Sequence, residues 1–489
     1  MSWKRFKELF QNRKPDESHF TLGIDIGQDS SALAFYNAIS GSTELLDMSG
    51  GYGRPSVPTV VQYLTESKEW VFGEYAVLNK GVGRDVTLAS FMDKLGQKED
   101  WDLDGRSVSL VNVLGLYLKE LIGGLKNINP KAEVAGAVAA VPSYASAEFR
   151  EELTRAFQAA GFGKELIRLA TDRECVLTYY LTREKPRSES VLLLDYGSRA
   201  LRGGVYQIQP EKDRIAVKAQ SFLFSDALGA KRIDEKLMAL FLSYFPPKAP
   251  RREKEQLEAF LFQHKDLLLQ KSDWQKPVKL YFNFTYPPIQ RTVTQAQMKE
   301  LTGPFRLAFD QFIFDLRAQN ASAGQLSGQL SEQAPGGQID TVVCTGGGFE
   351  MHWAKEAARE HFPASRLIFY KNAKSAAAEG AALLAACHLG VVDAPAIQIE
   401  DHLLIQEDIG LLLHKKKFYP MIQSASFWWR RCPDVYFIFN EAVAAAGRGV
   451  SVPLIQRGAD GVFRVIADIG PLHLPDRPKG ATRLSLSLQ

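Results

Sequence analysis

Three glycine turns, each closing an apolar run, constrain this chain more than anything else in it. Leu22-Gly23-Ile24 leads into Asp25-Ile26-Gly27, Val191-Leu192-Leu193-Leu194 into Asp195-Tyr196-Gly197, and Thr341-Val342-Val343-Cys344 into Thr345-Gly346-Gly347-Gly348. A glycine in a tight turn lets backbone amides approach phosphate oxygens, and an Asp at a strand end is able to hold magnesium through water. One Asp-x-Gly turn alone is usually just a turn. Here the surroundings repeat: Phe20, Leu22, Ile24 and Ile26 alternate into the first turn and Ala32 to Tyr36 lead out, while Val191 to Leu194 and Gly203 to Tyr206 flank the second. The repeat implies two lobes of similar α/β build, with turns of the kind that line a phosphate-holding cleft.

At 489 residues and 45% hydrophobic content the chain buries ample core and is expected to form two or more domains. A net charge of +3, with no basic stripe carrying interleaved aromatics, gives no reason to expect nucleic acid. Cys175, Cys344, Cys387 and Cys432 show no metal spacing, Cys344 and Cys387 sit in apolar stretches that read as core, and a reducing cytoplasm fits best. No apolar run is long enough for a membrane span. In the tail, residues 1–19, Trp3, Phe6, Leu9 and Phe10 share a helical face with Lys4, Arg5 and Lys7 adding charge. That suits a weak contact of residues 1–10 with a membrane surface or a partner; with Pro15 close behind, a frayed tail is the plainer reading.

Between the two hairpins, Ala135 to Val141 reads as a strand stopped by Pro142, and a helix follows with Ser146 as N-cap and Gly161 as terminator. Arg150 falls in its first turn, where the macrodipole disfavours positive charge, so a compensating carboxylate is expected. Leu228 to Phe245 and Arg252 to Leu269 read as helices, and Gln319 to Gln338, rich in Gln, Ser, Gly and Ala, as a mobile surface loop. Lys374 to Leu389 is Ala-rich, as close helix packing needs. Short alternating runs such as Ser451 to Leu454 and Phe463 to Ile466 then indicate a small β domain.

With these residues in place the chain resembles the seventy-kilodalton heat-shock chaperones, relatives of bacterial DnaK, over about Phe20 to Gln489. Leu22 to Gly27 matches that family's first phosphate loop, Pro58-Thr59-Val60-Val61 its Pro-Ser-Val-Val segment, and Phe91 to Gly96 the stretch with its catalytic lysine. A gapless register puts Met92 at the lysine's place and Lys94 two residues on. Val141-Pro142-Ser143-Tyr144 with Arg150 matches the Val-Pro-Ala-Tyr motif and its downstream arginine, and Gly380-Ala381-Ala382 matches the terminal Gly-Ala-Ala helix. The resemblance implies an actin-like nucleotide-binding domain of two ribonuclease H-like α/β lobes over 20–390, a linker at 391–402, and a shortened peptide-binding β domain at 403–489 without a helical lid.

It further implies ATP or ADP with Mg2+ as cofactors. Asp25 and Asp195 would hold the metal through waters, Gly27, Gln28, Gly197, Ser198, Gly346 and Gly347 would line the nucleotide, Lys94 would stabilise the transferring phosphoryl group, and Asp172 would orient water. Pro142 and Arg150 would relay nucleotide state to a β domain that binds unfolded peptide or a dedicated client, with a co-chaperone as a further partner. The departures fall at the chemistry. Gln28 and Asp29 replace a Thr-Thr pair, Gly197-Ser198-Arg199-Ala200 replaces Gly-Gly-Gly-Thr, and Arg202 stands where a second Asp belongs. Arg199 or Arg202 is able either to bind an oxyanion or to block the pocket. Two readings follow: a lidless chaperone that hydrolyses ATP slowly if at all, and a catalytically inactive nucleotide-sensing scaffold. A third, a sugar kinase or filament former of actin-like fold, is opposed by the Pro142 to Arg150 motif and the β domain.

Overall fold

Apolar runs that end in glycine turns become the central strands of two sheets. The computed structural model describes residues 19–47, 54–80, 85–97, 100–103, 105–143, 145–246, 251–272, 276–326, 338–370, 372–392, 396–400, 408–413, 417–422, 435–438, 450–457, 463–472 and 483–486. The amphipathic stretch at 1–10 and Cys432 lie outside them. The chain is mixed α/β and divides into two compact units, one built of residues 1–142 and 147–400, the other of 143–146 and 401–489.

In the first unit one sheet is formed by β1 (His19–Ile26), β2 (Ser30–Asn37), β3 (Ser42–Leu45), β4 (Val57–Pro58), β5 (Glu133–Val141) and β6 (Ile167–Thr171), in the order β6-β5-β1-β2-β3 with β4 on β2. A second comprises β7 (Glu189–Tyr196), β8 (Leu201–Pro210), β9 (Arg214–Ser225), β10 (Thr341–Thr345), β11 (Arg366–Phe369) and β12 (Ala396–Glu400), in the order β11-β10-β7-β8-β9-β12. In each, a parallel pair lies on one side of the central strand and an antiparallel hairpin with its third strand on the other. The central strands are buried on both faces: Leu22 and Ile24 on one face of β1 and Thr21 on the other, Leu192 and Leu194 on one face of β7 and Val191 and Leu193 on the other, are all 4% exposed or less. The unbroken apolar run Val191 to Leu194 foretold this for β7.

Two helices fix the first sheet. Asp172–Arg183 starts at Thr171, whose hydroxyl accepts from the Glu174 amide at 3.2 Å, and the Ala-rich helix Ala376–Leu389 ends at Gly390 in the left-handed region, φ +72°. The Ala-rich helix crosses β1 so closely that a Cβ on Gly23 would sit 1.9 Å from the Ala378 carbonyl oxygen and 2.2 Å from the Ala382 amide nitrogen. In the second half, Ala230–Leu242, Arg251–Leu269 and His352–His361 pack around an aromatic core that includes Tyr196, Phe241, Phe282, Phe309 and Phe349.

Three expectations change. Gln319 to Leu326 belongs to the long helix Gln295–Leu326, because Ala and Gln favour helix where an apolar face already anchors the preceding turns; 327–337 lies outside the described residues. Ala396–Glu400, expected within a linker, is an edge strand parallel to β9, its two Ile supplying β-propensity. Cys387 is only partly buried, unlike Cys175 and Cys344. The second unit holds a four-stranded antiparallel sheet, with strands Asp408–Leu413, Lys417–Ile422, Val450–Arg457 and Phe463–Leu472, and a two-stranded pair, Val435–Ile438 with Arg483–Leu486. Among the described residues no helix is long and apolar enough to cross a membrane.

The tight crossing at Gly23 generates a test. Gly23→Ala is expected to lower stability by roughly 3 kcal/mol or more, because backbone rather than a side chain must give way. Urea unfolding followed by tryptophan fluorescence measures it, and an unchanged midpoint would contradict the crossing.

Candidate functional site

The two hairpins are built alike down to the turn. The Gly27 amide donates to the Ser30 carbonyl at 3.0 Å, and the Gly197 amide donates to the Ala200 carbonyl at 2.9 Å. Each turn sets the register of the strands beyond it, so the acidic residue before the turn faces a fixed partner across the pair. Asp25 pairs with Ala32, and Asp195 pairs with Arg202. A small residue in the first hairpin is thus answered by a long cation in the second.

That cation is the hub of the site. The Arg202 guanidinium donates from one terminal nitrogen to Asp172 and from the other to Asp195. Asp195 belongs to the second sheet and Asp172 begins the helix that follows the first, so one side chain ties the two halves together. Its side chain is 18% exposed and those of Asp172 and Asp195 are 16% and 24%, so solvent screens these pairs far less than surface ones. Asp25 lies in the same cluster. Burial, then the charges of Asp172 and Asp195, push its carboxyl up to about 7, with Arg202 pulling the other way. Burial raises Asp195 as well, opposed chiefly by Arg202. Three carboxylates therefore share one guanidinium.

The turn tips are also joined. Ser198 in the second turn donates to Asp29 in the first, and Arg199 pairs with Asp93. Lys231 lies 3.8 Å from Asp29 and donates to the Ser90 hydroxyl. Gln28 donates to the Ser90 carbonyl at 2.6 Å and accepts from the Asp93 amide at 3.1 Å. Ser90 has φ +54°, a left-handed conformation that costs a non-glycine residue about 1 kcal/mol or more, and these contacts hold it there. The Ala230 and Lys231 amides donate to the carbonyls of Gly197 and Ser198 at 3.0 and 2.9 Å, so the helix start beside the second turn is spent on protein.

The remaining candidates fall around this centre. Gly346 has φ +85°, and a Cβ there would meet the Tyr196 carbonyl at 2.5 Å and an Asp195 carboxylate oxygen at 2.6 Å, so only glycine closes this turn against the second hairpin. Gly347 lies under the stem of Lys374, whose ammonium is 3.6 Å from Glu350. Lys94 places its ammonium over the Trp101 ring, 5.7 Å from the centroid, and its neighbour Asp93 reaches Arg199. Pro142 directly follows β5, which ends at Val141, and closes that segment of the first unit. Arg150 sits in the fields of Asp172 and Glu174, the compensating carboxylates that its helix-start position demanded, although burial still lowers its pKa. Asp234 and Lys265 form a 2.6 Å ion pair.

A divalent ion between Asp25 and Asp195 does not suit these residues. Asp172 and Asp195 are turned onto the guanidinium, and among the described residues no group of three His, Cys, Asp or Glu side chains is arranged to hold a metal ion. Sequence reasoning treated Arg202 as a departure and missed it as the hub; counting outward from the Gly197 to Ala200 turn would have placed it opposite Asp195. A model of a family of unknown function, the DUF5716 C-terminal family, matches residues 43–249, a span holding Asp172, the second turn and Arg202 but not Asp25 or Gly346. No curated protein matches the chain.

The raised Asp25 carboxyl predicts a pH dependence. Its folded value lies above the ordinary 3.8, so its contribution to stability is complete below pH about 4 and is lost as pH rises through 7. Asp25→Asn is expected to flatten that slope and to exceed the wild type at pH 8 by roughly 2–4 kcal/mol. Denaturant titrations across the range measure it; a wild-type stability that rises from pH 5 to 8 through Asp25 would contradict the environment described.

Proposed function

We propose that this chain is a catalytically inactive scaffold of actin-like build, related to the seventy-kilodalton heat-shock chaperones, whose two lobes are joined by its own side chains where such chaperones hold magnesium and triphosphate. The actin-like reading is supported by two sheets of equal strand order and direction, each opening on a hairpin with an Asp before its turn. The observation that carries the inactive reading is Arg202 spanning Asp172 and Asp195.

Chemistry supports this as much as geometry does. In-line attack on a phosphorus requires a neutralised phosphate chain and a placed water, and removal of one donor to the developing charge commonly slows reaction about a hundredfold or more. Here Asp172, the candidate for orienting water, is engaged by a guanidinium, and the serine of the second turn donates to Asp29. Nucleotide that enters beside Gly346 and Gly347 is sensed and not consumed. The β-rich second unit then serves as the partner-binding part, taking an extended peptide or a dedicated client.

A slow chaperone ATPase is the second reading, favoured by the convergence of Asp25, Asp172 and Asp195. A single-turnover assay with ATP and Mg2+ separates the two. The scaffold reading expects no hydrolysis above background, and none gained when Ser198→Gly, Arg199→Gly and Ala200→Thr are combined, because Arg202 remains. Magnesium-dependent hydrolysis by the wild type that disappears in Asp195→Asn would overturn it in favour of the enzyme.

A further inference from the structure

The disagreement between carboxylates suited to a metal and the residue set between them has a chemical consequence. Asp25 and Asp195 from the two sheets and Asp172 from the helix after the first converge here, a charge density that elsewhere calls for a divalent ion. In this chain the neutralising charge is covalently attached. Arg202 is delivered by the hairpin register, directly across from Asp195, and its planar fork presents one terminal nitrogen to each of two carboxylates. Guanidinium is a fixed cation at every accessible pH, and as part of the chain its effective concentration beside Asp195 is set by the hairpin and not by the solution. A metal from solution would have to displace it, leaving an arginine buried without its carboxylates.

We propose that Arg202 is the resident cation of this crevice, holding the place of a divalent metal so that the carboxylate cluster is indifferent to Mg2+ and any anion admitted there binds free of metal. The proposal rests on the inactive-scaffold reading but is tested separately from it, by metal binding and not by turnover. The groups facing Arg202 are Asp195 on its paired strand, Asp172 at the start of the helix after β6, and Asp25 on β1, with Arg150 also in the field of Asp172. Arg150 offers a second positive charge to Asp172, which further disfavours a metal there.

Mn2+ is the probe, followed by calorimetry, electron paramagnetic resonance and thermal unfolding of the full chain. Wild type is expected to show no Mn2+ site that depends on Asp195 and no shift of its melting temperature with MnCl2 or MgCl2. Arg202→Ala is expected to bind Mn2+ about tenfold or more tighter than wild type and to be stabilised by it, with both effects lost when Asp195→Asn is added. Arg202→Lys, which keeps a charge, is expected to remain blind to metal. A wild-type Mn2+ site that vanishes in Asp195→Asn overturns the proposal, as does a folded Arg202→Ala that binds no Mn2+. Should Arg202→Ala fail to fold in chelator, recovery of its native circular dichroism with Mn2+ supports the proposal, and failure to recover overturns it. Magnesium-dependent ATP hydrolysis would instead sink the scaffold reading, whatever the metal titrations of Arg202→Ala show.

Discussion

Arg202 carries its charge into the place where acidic groups from both sheets of the first unit converge, and the surrounding structure is arranged around that charge. Without a cation there, Asp25, Asp172 and Asp195 would face one another in a site largely withdrawn from water, and at least two of them could not ionise together without a large penalty. With it, charges alternate from Arg150 through Asp172 and Arg202 to Asp195. Removing one member of such a half-buried pair leaves the other uncompensated, at a cost toward but below the about 3–5 kcal/mol of a fully buried one. The chain is therefore committed to its own cation in a way that a metal-binding site is not.

The two hairpins of the first unit differ at one decisive position. The two hairpins share turn geometry, register and the Asp before the glycine, and the residue opposite that Asp is Ala32 in one and Arg202 in the other. A protein that holds its lobes apart until a ligand bridges them has a gate; one whose turn tips already bond through Ser198 and Asp29 has a joint. Further out, the helices Gly73–Leu78 and Arg251–Leu269 meet, with Lys80 paired to Glu258 at 2.8 Å and Phe262 packed on Val60, Ala76 and Val77. Contacts at the centre and at the periphery thus act in the same direction, which supports the scaffold reading proposed above.

Much of the fold was legible because it rests on local rules. Apolar runs before glycine turns gave central strands, and the alanines of 374–389 announced a helix that another backbone approaches closely. What was not legible depended on direction and on pairing across the chain. Composition made Gln319 to Leu326 look like a loop, yet a well-anchored helix extends into Ala and Gln without difficulty. The strand at Ala396–Glu400 is too short to announce itself without the free edge of β9. At the site, Asp25, Asp172 and Asp195 were readable as a group, whereas the contacts of Ser90, Asp93 and Lys231 arise between segments that no local pattern links. Arg202 stood between these cases: its strand and its distance from the turn were in plain view, and only the step from register to partner was lacking.

A double-mutant cycle tests the central claim most directly. Unfolding free energies of the wild type, Arg202→Met, Asp195→Asn and the double variant, measured at neutral pH in chelator, give the coupling between the guanidinium and the carboxylate. The account predicts a coupling of roughly 2 kcal/mol or more, since each single change strands a charge that the double change removes. Additivity within about 0.5 kcal/mol would mean that Arg202 does not neutralise the cluster.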